Sequence, residues 1–310
     1  MSQQITTAFV QQYNANVFHL SQQKGSRLQP VVRNESQKSK AQFWDRIGTV
    51  AAVKKAGRHS STPQLDTPHT RRMVTMDDYE WADLVDDQDK IRMLIDPTSE
   101  YALAAAYAFG RTKDDVVIAN AVGTAYGGED GKTLVAHPDS LKYAANDGTN
   151  LTNLNVKTLR RIKAMFDAQE VEGKRYFVFT SSQAEALLGQ TEVTSADFNT
   201  VRALVQGEIN TFLGFEFIRS ERLLTVAAGV TATPATGVVV TGGGGTSVAG
   251  DRSCFAFAEQ GLLMATGEDF ITKIDERADK SYSTQVYARM SIGATRMEEV
   301  KVIEVICQES

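Results

Sequence analysis

Cysteine, tryptophan and histidine are scarce in this chain of 310 residues, with two, two and four copies. Cys254 and Cys307 are too few for a disulfide framework and have no metal-ligand spacing. His19, His59, His69 and His137 show neither an HExxH pattern nor any other paired spacing, which removes the common zinc motifs. Long apolar runs are missing as well. Val116-Val117-Ile118-Ala119 is typical of what there is, far short of a membrane-spanning helix. The first residues lack a charged start followed by an apolar stretch, so no secretory signal is visible. What is present is ordinary: 42% hydrophobic residues before 23 glycines are counted, and 23% charged. This composition excludes both a charge-driven disordered tail and a membrane protein. It leads us to expect a soluble intracellular globular protein with one large core or two modest ones.

Charge is unevenly placed. The formal net charge is -5, yet nine basic residues fall within the first 58 positions against only Glu35 and Asp45. Lys54, Lys55, Arg58, Arg71 and Arg72 cluster around a Pro/Ser/Thr loop. Asp77, Asp78, Glu80, Asp83, Asp86, Asp87 and Asp89 then follow without one base. Such runs read either as solvated faces or as complementary patches that meet on another molecule. A basic arm also suits phosphate, although the acidic whole argues against a dedicated nucleic-acid binder.

Periodicity gives an expected order of elements. Residues 1–40 are rich in Gln, Ser, Asn and Lys, with a short apolar stripe from Phe9 to Leu20, and read as an arm that another surface orders. Residues 42–53 and 71–85 read as strands around a loop at 54–70, which makes a long two-stranded excursion with Trp44 and Trp81 on its two arms. Residues 96–125 hold the clearest helix, with Asp96 as N-cap, Pro97 in its first turn and Gly110 as a place to bend or split. A second helix is expected over 155–168, and another that Ser181 or Ser182 caps and Gly189 ends. Ser195 suits the cap of a further one. YFVFT at 176–180, FLGFEFI at 212–218, CFAFA at 254–258, and segments 269–277, 283–294 and 299–307 read as strands. The Gly-rich stretch 226–250 reads as a surface loop. The class is α+β, with an antiparallel sheet, one long helix and an inserted α/β unit.

Sites of chemistry are near misses. Gly127–Thr133 resembles a phosphate loop but has Tyr126 where the first glycine belongs, and a helix precedes it where a strand should. We read it as a loop at a helix C-terminus. Gly245-Thr246-Ser247-Val248-Ala249 lacks the last glycine of a nucleophile elbow. Asp83, Asp86 and Asp87 lack the spacing and glycine of a calcium loop. No catalytic, cofactor or metal residue is assigned.

Several stretches carry a resemblance. They are ITTAFVQQYNANVFHLSQQKGSRL at 5–28, WDRIG at 44–48, the long segment from Asp77 to Asn120, RYFVFTSSQAEALLG at 175–189 and FLGFEFIRSERL at 212–223. With the order of elements, they make the chain similar to the major capsid proteins of tailed bacteriophages, which have the Hong Kong 97-type fold. The resemblance implies an N-terminal arm (1–41), an extended loop (42–95), a peripheral domain with the spine helix (96–149 and 251–310) and an axial domain (150–250). It implies a structural, non-enzymatic subunit that self-assembles as hexamers and pentamers into an icosahedral head around double-stranded DNA. A cellular nanocompartment shell of the same fold is the alternative, with a nucleotide-binding enzyme using Gly127–Thr133 behind it.

Expected partners are other copies of the chain, a separate scaffolding protein, a portal, a decoration protein and, through non-specific contacts, packaged DNA. No membrane contact is implied, and the place is the virion capsid, assembled in the host cytoplasm. Candidate inter-subunit contacts are Trp44, Lys54, Lys55, Arg58, Arg71, Arg72, Trp81, Asp83, Asp86 and Asp87. Lys54 and Lys55 also stand where some relatives form Lys–Asn crosslinks.

Overall fold

A computed structural model describes residues 21–55, 57–58, 61, 64–85, 98–145, 151–190, 211–226 and 250–309. Asp96, Pro97, Asp86, Asp87, Ser195, His19, His59, Ser247 and the Gly-rich stretch 227–249 lie outside the described residues. The chain divides into two compact units. No helix among the described residues is long and apolar enough to cross a membrane.

Helix α1 runs continuously over Thr98–Val122, passing from the first unit into the second. At 25 residues it is about 37 Å long at ~1.5 Å per residue. Gly110 does not split it. A Cβ there would stand 2.8 Å from the Gly25 Cα, so the glycine admits a close crossing of the arm backbone. The buried face is Ala105 and Phe109, then Val117, Ile118 and Ala121. It lies one position on from Ala104 and Ala108, the face that the alanine spacing suggested.

In the first unit, β4 (Asp77–Val85) neighbours β13 (Ser283–Arg296), which neighbours β12 (Leu262–Arg277). Phe109 packs against Phe270 with ring centroids 5.5 Å apart. Two acids of β4 find partners inside the unit. The Tyr287 hydroxyl donates to Glu80 at 3.2 Å, and the Ser291 hydroxyl to Asp78 at 2.5 Å.

The second unit holds a six-stranded mixed sheet in the order β7-β14-β11-β8-β10-β9. These are β7 (Lys142–Ala144), β8 (Arg175–Phe179), β9 (Thr211–Phe212), β10 (Phe215–Arg219), β11 (Arg252–Ala258) and β14 (Val302–Cys307). The inserted α/β segment therefore does not close a sheet of its own. β8 pairs antiparallel with β11, the strand that follows the insertion. The unbroken apolar runs of β8 and β11 are what a strand buried on both faces requires. Phe177, Phe179, Phe215 and Phe217 form an aromatic cluster there, with centroid separations of 5.2–6.3 Å.

Helix α2 (Val156–Ala168) buries Leu159, Ile162 and Phe166, and the Asn155 side chain caps it by accepting from the Thr158 N–H at 2.7 Å. Helix α3 (Ser181–Leu188) differs from expectation at its start. Thr180 is its N-cap residue without a side-chain bond, and Glu221 accepts the Ser181 N–H at 2.8 Å. A carboxylate brought from elsewhere in the chain supplies the cap. FLGFEFI is likewise two strands. Leu213 and Gly214, both at positive φ (52° and 85°), turn β9 back onto β10.

A four-stranded sheet in the same unit has the order β2-β3-β5-β6. It comprises β2 (Ala41–Ile47), β3 (His69–Thr75), β5 (Ala125–Gly127) and β6 (Thr133–Val135). The expected strand 42–53 stops at Ile47, and the expected strand 71–85 is broken at Met76 into β3 and β4. The break has a local cause. The Met76 N–H donates to the Lys40 carbonyl at 3.0 Å, and its sulfur lies where a Cβ on Gly267 would stand, 2.5 Å away. β1 (Arg33–Ser36) pairs parallel with the start of β12.

Candidate assembly surface

The β2–β3 hairpin has two unlike faces, set by strict alternation along β2 and by its register with β3. Trp44 faces Arg72, and Asp45 faces Arg71. The inner face is packed. Trp44 lies against Val74, Leu263, Ala265 and Met297. Arg72 is only 1% exposed and ion-paired with Glu299, to which Arg46 adds a second contact at 3.7 Å. Burial, with the charges of Arg46 and Arg296, lowers the Arg72 pKa to about 10. Arg71 and Arg72 therefore stand in the strand and not at the tip. Arg72 is taken up inside the chain, so it is not offered to a neighbour.

Arg296 is the organising residue that the sequence pattern did not reveal. It is fully buried and donates to the Ala121 and Gly123 carbonyls, both at 2.8 Å, and to the Val135 carbonyl at 3.3 Å. It thereby satisfies the end of α1, where the helix dipole also favours a cation. His137 is buried beside it, with neither ring nitrogen hydrogen-bonded. Burial, then the Arg296 charge, lowers its pKa to about 3, so this imidazole is neutral and not a solvated loop group. A buried arginine inside an otherwise alternating strand was the only available signal, and Gly293, just before it, already shifts that alternation.

The outer face is exposed. Asp45 and Arg71 form a surface ion pair at 2.7 Å beside a cleft of about 480 Å³ lined by His69, Thr70, Gly128 and Glu129. From this hairpin residues 48–68 form a loop, longer at its start than the expected 54–70, on which Lys54, Lys55 and Arg58 are exposed. Val50, Val53 and Leu65 are exposed on it too, at 59%, 56% and 52%.

Trp81 is half-buried on β4, so the two tryptophans are not on the arms of one hairpin. Asp83 is exposed, and one of its oxygens accepts the Leu84 N–H. Gly127–Thr133 is neither a helix-end loop nor a phosphate cradle. It is the turn of the β5–β6 hairpin, with Gly128 and Gly131 at positive φ, and no helix follows to aim its N–H groups at a phosphate. Among the described residues no group of three His, Cys, Asp or Glu is placed to hold a metal ion.

The model of the phage capsid protein family matches residues 5–309. The chain belongs to the phage capsid protein family. This capsid protein is a structural subunit of the phage head shell, in which copies self-assemble, and its place is the virion capsid. No curated protein sequence matches it.

Solved capsids show the same fold at low identity. The capsid of Ralstonia phage GP4 aligns at 11% identity with a TM-score of 0.71, over 98% of this chain and 96% of that one. The cyanophage Pam1 capsid subunit aligns at 12% identity and 0.69, covering 97% of each chain. The capsid of cyanophage P-SCSP1u aligns at 15% identity and 0.68, over 99% and 95%. The mixed helix and sheet architecture is that of the Hong Kong 97-type capsid fold.

Proposed function

We propose that this capsid protein assembles as hexamers and pentamers into the icosahedral head of a tailed phage around double-stranded DNA. The observation that carries this is the loop at 48–68. It presents apolar and basic side chains to solvent at the end of a well-packed hairpin, as an arm meant for a neighbour would. In this reading residues 1–41 are the arm, 42–95 the extended loop, 96–149 and 251–310 the peripheral domain, and 150–250 the axial domain. Lys54, Lys55 and Arg58 meet acidic groups of a neighbouring subunit, with Asp83, Asp86 and Asp87 among the candidates. Trp81 lies at that contact.

A separate scaffolding protein guides assembly in the host cytoplasm, and a portal and a decoration protein complete the particle. DNA contacts are non-specific and catalysis plays no part. Electron microscopy of the purified protein, alone and with its cognate scaffold, tests the reading. Closed shells or capsomer rings are expected. Isolated monomers in both preparations would overturn it.

A further inference from the structure

The registers across the four-stranded sheet place one apolar side chain per strand in a single row. Phe43 faces Met73, Met73 faces Tyr126, and Tyr126 faces Leu134. Opposed residues of a ladder share a face, so the row crosses about 14 Å of one surface, at ~4.8 Å per strand. Phe43, Tyr126 and Leu134 are 37%, 44% and 65% exposed, while Met73 is half-covered by the turn at Gly131. The cleft beside Asp45 and Arg71 opens along the row, and Glu129 and Asp130 rim it.

Large apolar side chains that stay exposed in the second unit gather in two places. One is this row with Ile47, the other is the loop at Val50, Val53 and Leu65, and Leu224 alone lies elsewhere among the described residues. Neither place is covered by the chain's own described residues.

We infer that the row Phe43–Met73–Tyr126–Leu134 is the seat for the 48–68 loop of a second copy of this chain. The inference rests on the shell reading and names the receptor that the loop requires. The occupant is another copy because the shell is built of copies, and because this loop is apolar where the row is apolar. The loop is also basic, through Lys54, Lys55 and Arg58, where the rim is acidic, through Glu129 and Asp130. Opposite charges at the rim of an apolar seat fix register and steer encounter. The contact joins two different patches, so it repeats head to tail and closes a ring when the rotation permits.

The test uses cysteine pairs, since both native cysteines are buried. Subunits carrying Leu134→Cys and subunits carrying Val53→Cys are mixed, assembled with scaffold and oxidised. Shells whose mixed subunits give disulfide-linked dimers on a non-reducing gel, with no such band from either variant alone, are the expected result. The full chain carrying both cysteines should give a ladder up to the capsomer. Tyr126→Cys with Leu65→Cys is the second pair, used if the first blocks assembly.

Shells without crosslinks in either pair would overturn the seat and leave the shell reading standing. Crosslinks from Leu134→Cys alone would mean that rows pack on each other, and would overturn it as well. So would crosslinks between Val53→Cys and Asp83→Cys in place of the expected pairs. Failure of the unsubstituted chain to form shells with scaffold would instead remove the reading beneath it.

Discussion

The Arg296 guanidinium donates to the carbonyl of Ala121 at 2.8 Å, joining strand β13 to the last turn of the longest helix. Gly123 and Val135 share the same side chain, so one residue satisfies carbonyls from three segments. Replacing Arg296 with Met keeps much of the bulk but leaves these buried acceptors unsatisfied, at ~1–3 kcal/mol for each acceptor left without a partner. We expect a strongly lowered melting temperature for Arg296→Met. Arg296→Lys should recover only part of it, because an ammonium lacks the planar fork that reaches several carbonyls together. Equal melting of Lys and Met variants would refute the fork argument.

Glu299 stands between Arg72 and Arg46. Removing the carboxylate leaves cations that already lower the Arg72 pKa by their repulsion. Glu299→Gln should therefore cost more than Arg72→Met. The expected loss for the former is ~3–5 kcal/mol, the range for breaking a buried pair. Denaturant unfolding of both variants measures the order, and the reverse order would be fatal to the explanation.

His137 sets a pH dependence whose sign follows from its environment. Its pKa is lowered to about 3 in the fold, against the ordinary 6.5 of an exposed imidazole. Between those values the unfolded chain takes up a proton that the folded chain refuses. Stability is therefore full above pH 6.5 and falls as pH drops toward 3, by at most ~1.4 kcal/mol per pH unit. Glu304 acts in the opposite sense. Burial raises its pKa, so its penalty is relieved as pH falls. The quantity to measure is thus the difference in pH slope between the parent and His137→Gln. A shallower acid loss in the variant is expected, and identical slopes from pH 7 to 4 would contradict it.

Charge at the loop tip is testable without touching the core. Lys54→Glu, Lys55→Glu and Arg58→Glu together alter three exposed side chains. The subunit should melt within ~0.5 kcal/mol of the parent, as surface changes do, yet give few shells by sedimentation. Reversal of Glu129 and Asp130 to Lys in the same chain should restore yield. Reversal of Asp86 and Asp87 to Lys should restore it instead if the acidic run after β4 is the receptor. Normal shells from the triple variant would exclude charge pairing through this loop altogether.

Local chemistry was legible wherever the signal was local. The α1 helix was readable from its alanine spacing, β13 from alternation over Val286–Ile292, and β8 and β11 from unbroken apolar runs. The basic loop was readable from Lys54, Lys55 and Arg58, which stay exposed. The break at Met76 was not, because it depends on Gly267, almost two hundred positions away. The cap of α3 was misplaced for the same reason, since Glu221 comes from a distant segment.

The sequence by itself determined that this is an α+β chain without metal or catalytic motifs, with a basic excursion and an acidic run, resembling a phage shell subunit. Tertiary structure alone decided which arginines belong to the fold and which to the surface. Arg71 and Arg72 are neighbours in sequence, but successive strand residues point to opposite faces. One pairs with Asp45 in water and the other with Glu299 in the interior. It also decided that Phe43, Met73, Tyr126 and Leu134 form one row, because register across three pairings is set by long-range hydrogen bonds and leaves no trace in local spacing.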